Sequence, residues 1–122
     1  MDVNAAACSD VLAVVQQYFD GLHKADTATL ARIFDPDIIL MSHGVRRTRE
    51  QWLALVDERC TPAEAGYPYE YKVLSVEVSG NQALVKASCP LLDNHYLDYL
   101  GLLRENGQWT IVNKMYAGFP AN

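Results

Sequence analysis

Cysteine is scarce in this sequence, and long apolar runs are missing. The three cysteines, Cys8, Cys60 and Cys89, are scattered and form no CxxC pair. This pattern argues against a disulfide framework and against a zinc site, and we expect neither a metal nor a cofactor. No apolar run reaches the roughly 18 residues that a membrane-spanning helix needs, so we expect no membrane partner.

Basic residues are few as well. Ten Lys and Arg stand against fifteen Asp and Glu, the net charge is −5, and no basic stripe is present. We therefore expect no nucleic-acid partner. The first ten residues carry no Lys or Arg ahead of their apolar residues, unlike a secretory signal, so we expect a cytoplasmic protein. The 122 residues are half hydrophobic, which is enough for one domain, residues 1–122, with a real core.

The first half of the chain has helical periodicity. A first helix is predicted from about Ser9, its N-cap, to Lys24, and a short second helix follows the capping residue Asp26. A third helix opens at Thr48, since Thr48-x-x-Gln51 has the form of a capping box. The inner faces of the three helices are predicted to carry Val11, Leu12, Val15, Tyr18, Phe19 and Leu22, then Leu30, Ile33 and Phe34, then Trp52, Leu55, Val56 and Cys60.

The remaining segments have the alternation and turn residues of strands. A strand at Ile38–Met41 precedes the third helix, and His43 and Gly44 follow it. Ser79-Gly80-Asn81 and Asn106-Gly107 are hairpin turn signals. Four later strands are predicted at Tyr69–Val78, Gln82–Cys89, Tyr96–Arg104 and Gln108–Tyr116. Helices first and strands afterwards indicate an α+β domain with an antiparallel sheet.

The length of the last hairpin loop decides which residues share a face. A two-residue loop, Asn106-Gly107, places Asp98 opposite Met115, whereas a three-residue loop that starts at Glu105 places it opposite Lys114. We favour three residues, which puts Asp98, Leu100, Val112, Lys114 and Tyr116 on one side, as suits a pocket with a few polar groups in an apolar wall. Trp109, Ile111 and Met115 would then form an apolar outer face that a homodimer would cover.

Two segments resemble a known superfamily. VLAVVQQYFDGLHKADTATLARIFDPDIIL is similar to the opening of nuclear transport factor 2-like (NTF2-like) proteins, and DYLGLLRENGQWTIVNKMY is similar to their closing hairpin. The small bacterial proteins labelled putative lumazine-binding, a SnoaL-like group, look most similar. The resemblance implies three N-terminal helices on a curved antiparallel sheet, a cone with an internal pocket, and commonly a homodimer joined through the sheet.

Ketosteroid isomerase, which has this fold, offers a template for the chemistry. Its oxyanion hole is made by a tyrosine and a protonated aspartic acid, and its base is a carboxylate. By its spacings, the tyrosine corresponds to Tyr18, the aspartic acid to Asp98, and the base to Ser42. Because a serine hydroxyl does not accept a proton unaided at neutral pH, this departure argues against that activity. His43, one residue further on, is the alternative base if a bulge or the end of the strand turns it inward.

Several readings stay open for the candidate site. If Asp98 and Lys114 share a face they are predicted to pair, either as a structural ion pair or to orient Lys114 toward a ligand. Arg46, Arg47 and Arg49 fit a solvated turn better than an anion gate. The predicted ligand-binding residues are Tyr18, Met41, Trp52, Asp98, Leu100, Val112, Lys114 and Tyr116, and the candidate catalytic residues are His43, Asp98 and Tyr18.

Three function classes follow. The favoured one is a small-molecule-binding protein with an apolar pocket that carries a few polar groups. The second is an acid–base enzyme of the isomerase, dehydratase or polyketide-cyclase kind. The third is a structural dimerisation domain whose pocket is filled by side chains.

Overall fold

Three helices lie in the first half of the chain. The computed structural model describes residues 3–120, with side chains from residue 5 onward. Helix α1 covers Val3–Lys24, α2 Thr27–Ile33 and α3 Arg49–Glu58. Asp26 caps α2 as predicted, and the capping box between Thr48 and Gln51 is present at the start of α3. The predicted N-cap Ser9 is wrong, because α1 already includes it.

The inner faces of the helices are narrower than predicted. Leu12 and Leu55 are each 37% exposed, and Cys60 is exposed too, so these three predicted core positions are wrong. A stripe of buried residues two to three side chains wide is enough to pack each helix against the sheet. The confirmed core positions of the helices are Val11, Val15, Tyr18, Phe19, Leu22, Leu30, Ile33, Phe34, Trp52 and Val56.

A curved six-stranded sheet forms the second layer. Its strands are β1 Ile39–Ser42, β2 Val45–Thr48, β3 Lys72–Ser79, β4 Gln82–Leu91, β5 Asn94–Glu105 and β6 Gln108–Pro120. They lie in the order β2-β1-β6-β5-β4-β3, and all neighbours are antiparallel except β1 and β6. The predicted fold class, three N-terminal helices on a curved sheet, is therefore confirmed.

Strand β2 is absent from the sequence prediction. The cluster Arg46, Arg47 and Arg49 is interpreted from the sequence as a solvated turn. In the structure, Val45–Thr48 instead pairs with β1 across the tight turn His43-Gly44. Gly44 has a φ of +74°, a left-handed value that glycine adopts without strain. The alternation of β2 sends Arg46 and Arg47 to opposite faces of the sheet.

The last hairpin has a two-residue loop, so the predicted three-residue loop is wrong. Glu105 pairs with Gln108, and Asn106 and Gly107 both have positive φ, as in a type I′ turn. A bulge between Gly101 and Leu102 then shifts the register by one residue. As a result Leu100 lies opposite Lys114, and Asp98 and Lys114 share the inner face after all.

The same bulge overturns the predicted outer face. Trp109 is 7% exposed and Ile111 is fully buried, so both belong to the core on the helix side of the sheet. Met115, beyond the bulge, points outward as predicted and is 57% exposed. Among the described residues, no helix is long and apolar enough to cross a membrane.

Candidate functional site

A cavity of about 260 Å³ lies between helices α1 and α3 and the inner face of the sheet. Pockets for drug-sized ligands measure roughly 300–1,000 Å³, so this volume suits a smaller molecule. The cavity is lined by Tyr18, Leu22, Arg47, Trp52, Leu55, Arg59, Cys89, Leu91, Tyr96, Asp98, Lys114 and Tyr116.

Helix and strand periodicity brings these side chains together. On α3 and the residue that caps it, Trp52, Leu55 and Arg59 follow one another at three and four residues, which keeps them on one helical face. On α1, Tyr18 and Leu22 are four residues apart. Strands β4, β5 and β6 each contribute two residues at a spacing of two, because alternate strand residues share a face.

The centre of the site is a hydrogen bond between Tyr18 and Asp98. The Tyr18 hydroxyl donates to Asp98 Oδ2 over 2.6 Å, and the Cys89 thiol donates to the same oxygen over 3.5 Å. Burial, and secondarily the charge of Asp98, raises the pKa of Tyr18 well above its usual value, which keeps this hydroxyl a donor. Asp98 Oδ1, in contrast, is buried and has no hydrogen-bond partner among the described residues.

Lys114 is buried among aromatic rings and is not paired with Asp98. Its Nζ lies 4.2 Å from the centre of the Trp52 ring and 5.2 Å and 5.3 Å from those of Tyr18 and Tyr116. In the described part of the chain, no ion pair within 4.0 Å joins Lys114 to Asp98, so the predicted pairing is wrong. Burial lowers the pKa of Lys114, and the charge of Asp98 opposes this shift only in part.

Two arginines, Arg47 and Arg59, also line the cavity. Arg47 donates from Nη1 to the Tyr116 hydroxyl over 2.9 Å. Arg59 follows the last residue of α3, and its buried Nε and Nη2 have no hydrogen-bond partner in the part of the chain that the structure describes. Burial lowers the pKa of Arg59, although a guanidinium stays charged at neutral pH. Three basic groups and one carboxylate therefore face the cavity of a chain whose net charge is −5.

The structure separates the predicted site residues into two groups. Tyr18, Trp52, Asp98, Lys114 and Tyr116 line the cavity. The other predicted residues do not line the cavity. Leu100 is fully buried in the core, and Val112 lies at the bulge in β6. Met41 and His43 line a depression on the outer face of the sheet.

Because His43 lies outside the cavity, the predicted base is not close to Tyr18 and Asp98. The Tyr18 hydroxyl donates to Asp98, whereas the isomerase arrangement needs both groups to donate to a ligand. Among the described residues, no cluster of three His, Cys, Asp or Glu side chains could hold a metal.

Arg59 is the main residue that the sequence prediction missed. It follows Trp52 by seven residues, so it lies on the same face of the helix, and this spacing could have identified it. The predicted buried stripe of this helix, Trp52, Leu55, Val56 and Cys60, did not include Arg59. Arg47 was missed because β2 was not recognised.

Solved structures of NTF2-like proteins of unknown function are similar to this chain. One from Shewanella baltica OS155 has a TM-score of 0.88 at 17% identity, covering 99% of this chain and 100% of that one. One from Silicibacter pomeroyi DSS-3 has a TM-score of 0.81 at 22% identity, covering 97% and 100%. One from Methylobacillus flagellatus KT has a TM-score of 0.77 at 14% identity, covering 98% and 95%. At these identities the similarity shows the fold alone.

The family comparison covers most of the chain. No curated protein matches this chain. The family described as "Putative lumazine-binding" matches residues 6–117. This match shows that the chain belongs to the putative lumazine-binding family, and its fold is that of the NTF2-like proteins.

Proposed function

We propose that this protein binds a small organic molecule in the cavity between α1, α3 and the sheet. The observation that carries the proposal is the pair of buried polar residues in an aromatic wall: Asp98 is 2% exposed and Lys114 is 6% exposed. Within the described part of the chain, Asp98 Oδ1 has no hydrogen-bond partner and Lys114 forms no ion pair, so each residue can still bind a further polar group. Buried polar groups without partners are costly, and a ligand that satisfies them offsets that cost.

Binding is better supported than the two other function classes. An acid–base enzyme needs a base beside the reacting atoms, and the candidate His43 lines a different surface. A purely structural domain is expected to fill its interior with side chains, whereas about 260 Å³ stays open here. The family description agrees with a ligand-binding role, and the identity of the ligand is left to experiment.

The binding proposal predicts that cavity-filling substitutions abolish ligand binding. Leu55 lines the cavity and is 37% exposed, so Leu55→Trp is expected to fill the opening without disturbing the core. A small-fragment library is first screened by thermal shift on the wild-type protein, because a ligand of the folded state raises the melting temperature. Stabilisation by the hits should be lost in Leu55→Trp.

Leu12 supplies the matched control. It is also a helical leucine with 37% exposure, but it does not line the cavity, so Leu12→Trp should keep the response to each hit. A library without a single stabilising fragment would refute the proposal. Equal stabilisation of both variants would place the ligand outside the cavity and would refute it as well.

The outer face of the sheet supports a homodimer. Met41, Met115 and Tyr99 are neighbours across β1, β6 and β5, and they are 40%, 57% and 38% exposed. Contiguous exposed apolar side chains on an open sheet are typical of an interface, and a twofold axis through this row would let it cover itself. The proposed interface therefore replaces the predicted Trp109 and Ile111 by Met41 and Tyr99, and keeps Met115.

A charge in the middle of that row should separate the dimer. Met115→Lys is expected to yield a folded monomer by size-exclusion chromatography with light scattering, because two ammonium groups would approach each other across the axis. Leu74→Lys is the control, since Leu74 is 51% exposed on the distant strand β3 and should stay dimeric. A wild-type monomer, or an unchanged dimer in Met115→Lys, would rule out this interface.

A further inference from the structure

The unpaired edge of Arg59 has the geometry of a carboxylate receptor. Its two buried nitrogens without partners are Nε and Nη2. These two atoms lie on the same edge of a guanidinium, and their N–H bonds point in parallel. That edge matches the two oxygens of a carboxylate and can donate to both at once.

No group among the residues that the structure describes neutralises this edge. Within residues 5–120, no carboxylate oxygen lies within 4.0 Å of the guanidinium. Arg59 instead lines the cavity together with Tyr18, Tyr96 and Tyr116. Asp98, the single acidic residue of the wall, already accepts from Tyr18 and Cys89 through one oxygen.

Lys114 adds a further positive charge to the cavity, beside those of Arg59 and Arg47. Burial is the main cause of the lowered pKa of Lys114, and the positive charge of Arg59, which lines the same cavity, lowers this pKa further. Placing three cations and a single carboxylate in one small cavity is unfavourable unless a further anion lies among them. The protein as a whole is acidic, so this local positive charge is a property of the cavity.

We propose that the ligand is a small carboxylate whose two oxygens are held by Arg59 Nε and Nη2 and whose charge is balanced by Lys114. This proposal rests on the binding function proposed above. The rest of the ligand would pack on Trp52, Leu22 and Leu91, which calls for an apolar or aromatic body. Arg59 lines the cavity, and the proposal requires its flexible side chain to rotate so that the two N–H groups, which are buried in the free protein, face the ligand.

A matched pair of probes isolates the contribution of the carboxylate. Phenylacetate and phenylacetamide have nearly the same shape, but only the first carries a charge at pH 7. Each is titrated into ¹⁵N-labelled protein at low ionic strength, and the Kd is taken from the shifts of cavity residues. We expect phenylacetate to bind more tightly by on the order of tenfold or more, as charge-assisted hydrogen bonds provide.

Substitution of Arg59 should remove that preference and nothing else. In Arg59→Gln the Kd of phenylacetate is expected to rise to that of phenylacetamide, whose own Kd stays unchanged. Arg32→Gln, at an exposed position of α2, should keep the wild-type preference. Should Arg59→Gln fail to fold, Lys114→Met is measured instead, and a reduced preference for phenylacetate is expected there too.

The outcomes separate this inference from the binding proposal. If phenylacetamide binds in the cavity as tightly as phenylacetate, the carboxylate inference is overturned while the binding function stands. If the preference survives in both Arg59→Gln and Lys114→Met, the inference is again overturned. If neither probe nor any other fragment shifts cavity residues, both proposals are overturned.

Discussion

Replacing Trp109 with alanine is expected to lower the free energy of unfolding by about 3–5 kcal/mol, the usual cost of removing a buried tryptophan. Trp109 is 7% exposed and lies beside Val14 of α1 and Ile33 of α2, where it helps to join the helices to β6. Its ring also lies 5.5 Å from the Arg104 guanidinium. Urea unfolding followed by circular dichroism measures the loss.

Met115→Ala is the control for this prediction. Met115 lies six residues further along the same strand but is 57% exposed, so the monomer should lose less than about 0.5 kcal/mol. The Met115→Ala protein is compared at a concentration where the wild type is monomeric. A Trp109→Ala protein as stable as the wild type would show that the inner face of β6 is assigned incorrectly.

The position of Trp109 shows where the sequence prediction stopped being informative. Successive side chains of a strand point to opposite faces of the sheet, so the pattern predicts a face only when the register is known. One extra residue at a bulge therefore reverses the predicted face of every residue beyond it. Gly101 was the available signal, since a glycine within a strand often marks a bulge or a close approach. A Cβ there would lie 2.8 Å from Asn113 Oδ1, which is too close for any other residue without rearrangement.

Replacing Lys114 with methionine is expected to stabilise the protein by about 1–3 kcal/mol at pH 7 while it weakens carboxylate binding. Methionine fills a similar volume next to Trp52 and carries no charge that needs hydration. Asp98 keeps its two donors, Tyr18 and Cys89, in this variant. A residue that costs stability in the free protein is best explained by a role in binding.

The stabilisation should depend on pH in a defined direction. Burial lowers the pKa of Lys114 from its ordinary value of 10.5, so between the two pKa values the unfolded chain binds the extra proton. The stability of the wild type relative to Lys114→Met therefore rises as the pH rises through this window toward 10.5. The advantage of the variant is largest below the folded-state pKa and shrinks above it.

Urea unfolding at pH 7 and pH 10 tests both statements. Lys72→Met is the control, because Lys72 is exposed and its replacement should change stability by less than about 0.5 kcal/mol at either pH. A Lys114→Met protein that is less stable than the wild type at pH 7 would mean that Lys114 is a structural residue.

The overall architecture was predictable because local signals and global packing agree. The inner residues of each helix recur at helical spacing, Asp26 and Thr48 supply caps, and Asn106-Gly107 defines the last hairpin. The resemblance of the opening and closing segments to NTF2-like proteins added the order of the layers. Strand β2 was not predicted, because a segment of four residues that is rich in arginine has little of the composition typical of strands.

The candidate site was predictable only in part. Asp98 was identified because a charged residue in an apolar strand needs an explanation, Tyr18 by the spacing of ketosteroid isomerase, and Lys114 as the expected partner of Asp98. Arg59 was not identified, because an arginine near the end of a helix is usually solvated and only its contacts show that it turns inward. Met41 and His43 were misplaced for a further reason, since a short strand gives no independent indication of which face is inner.

The two tryptophans provide the most direct test of the central claim, that the space above Trp52 holds a small molecule. Trp52 lines the cavity and Trp109 does not, and their indole N–H groups give separate signals in a ¹⁵N–¹H spectrum. On titration with a fragment that raises the melting temperature, we predict that the Trp52 indole signal shifts and saturates while that of Trp109 stays in place. A saturated protein whose Trp52 signal has not moved would contradict the account.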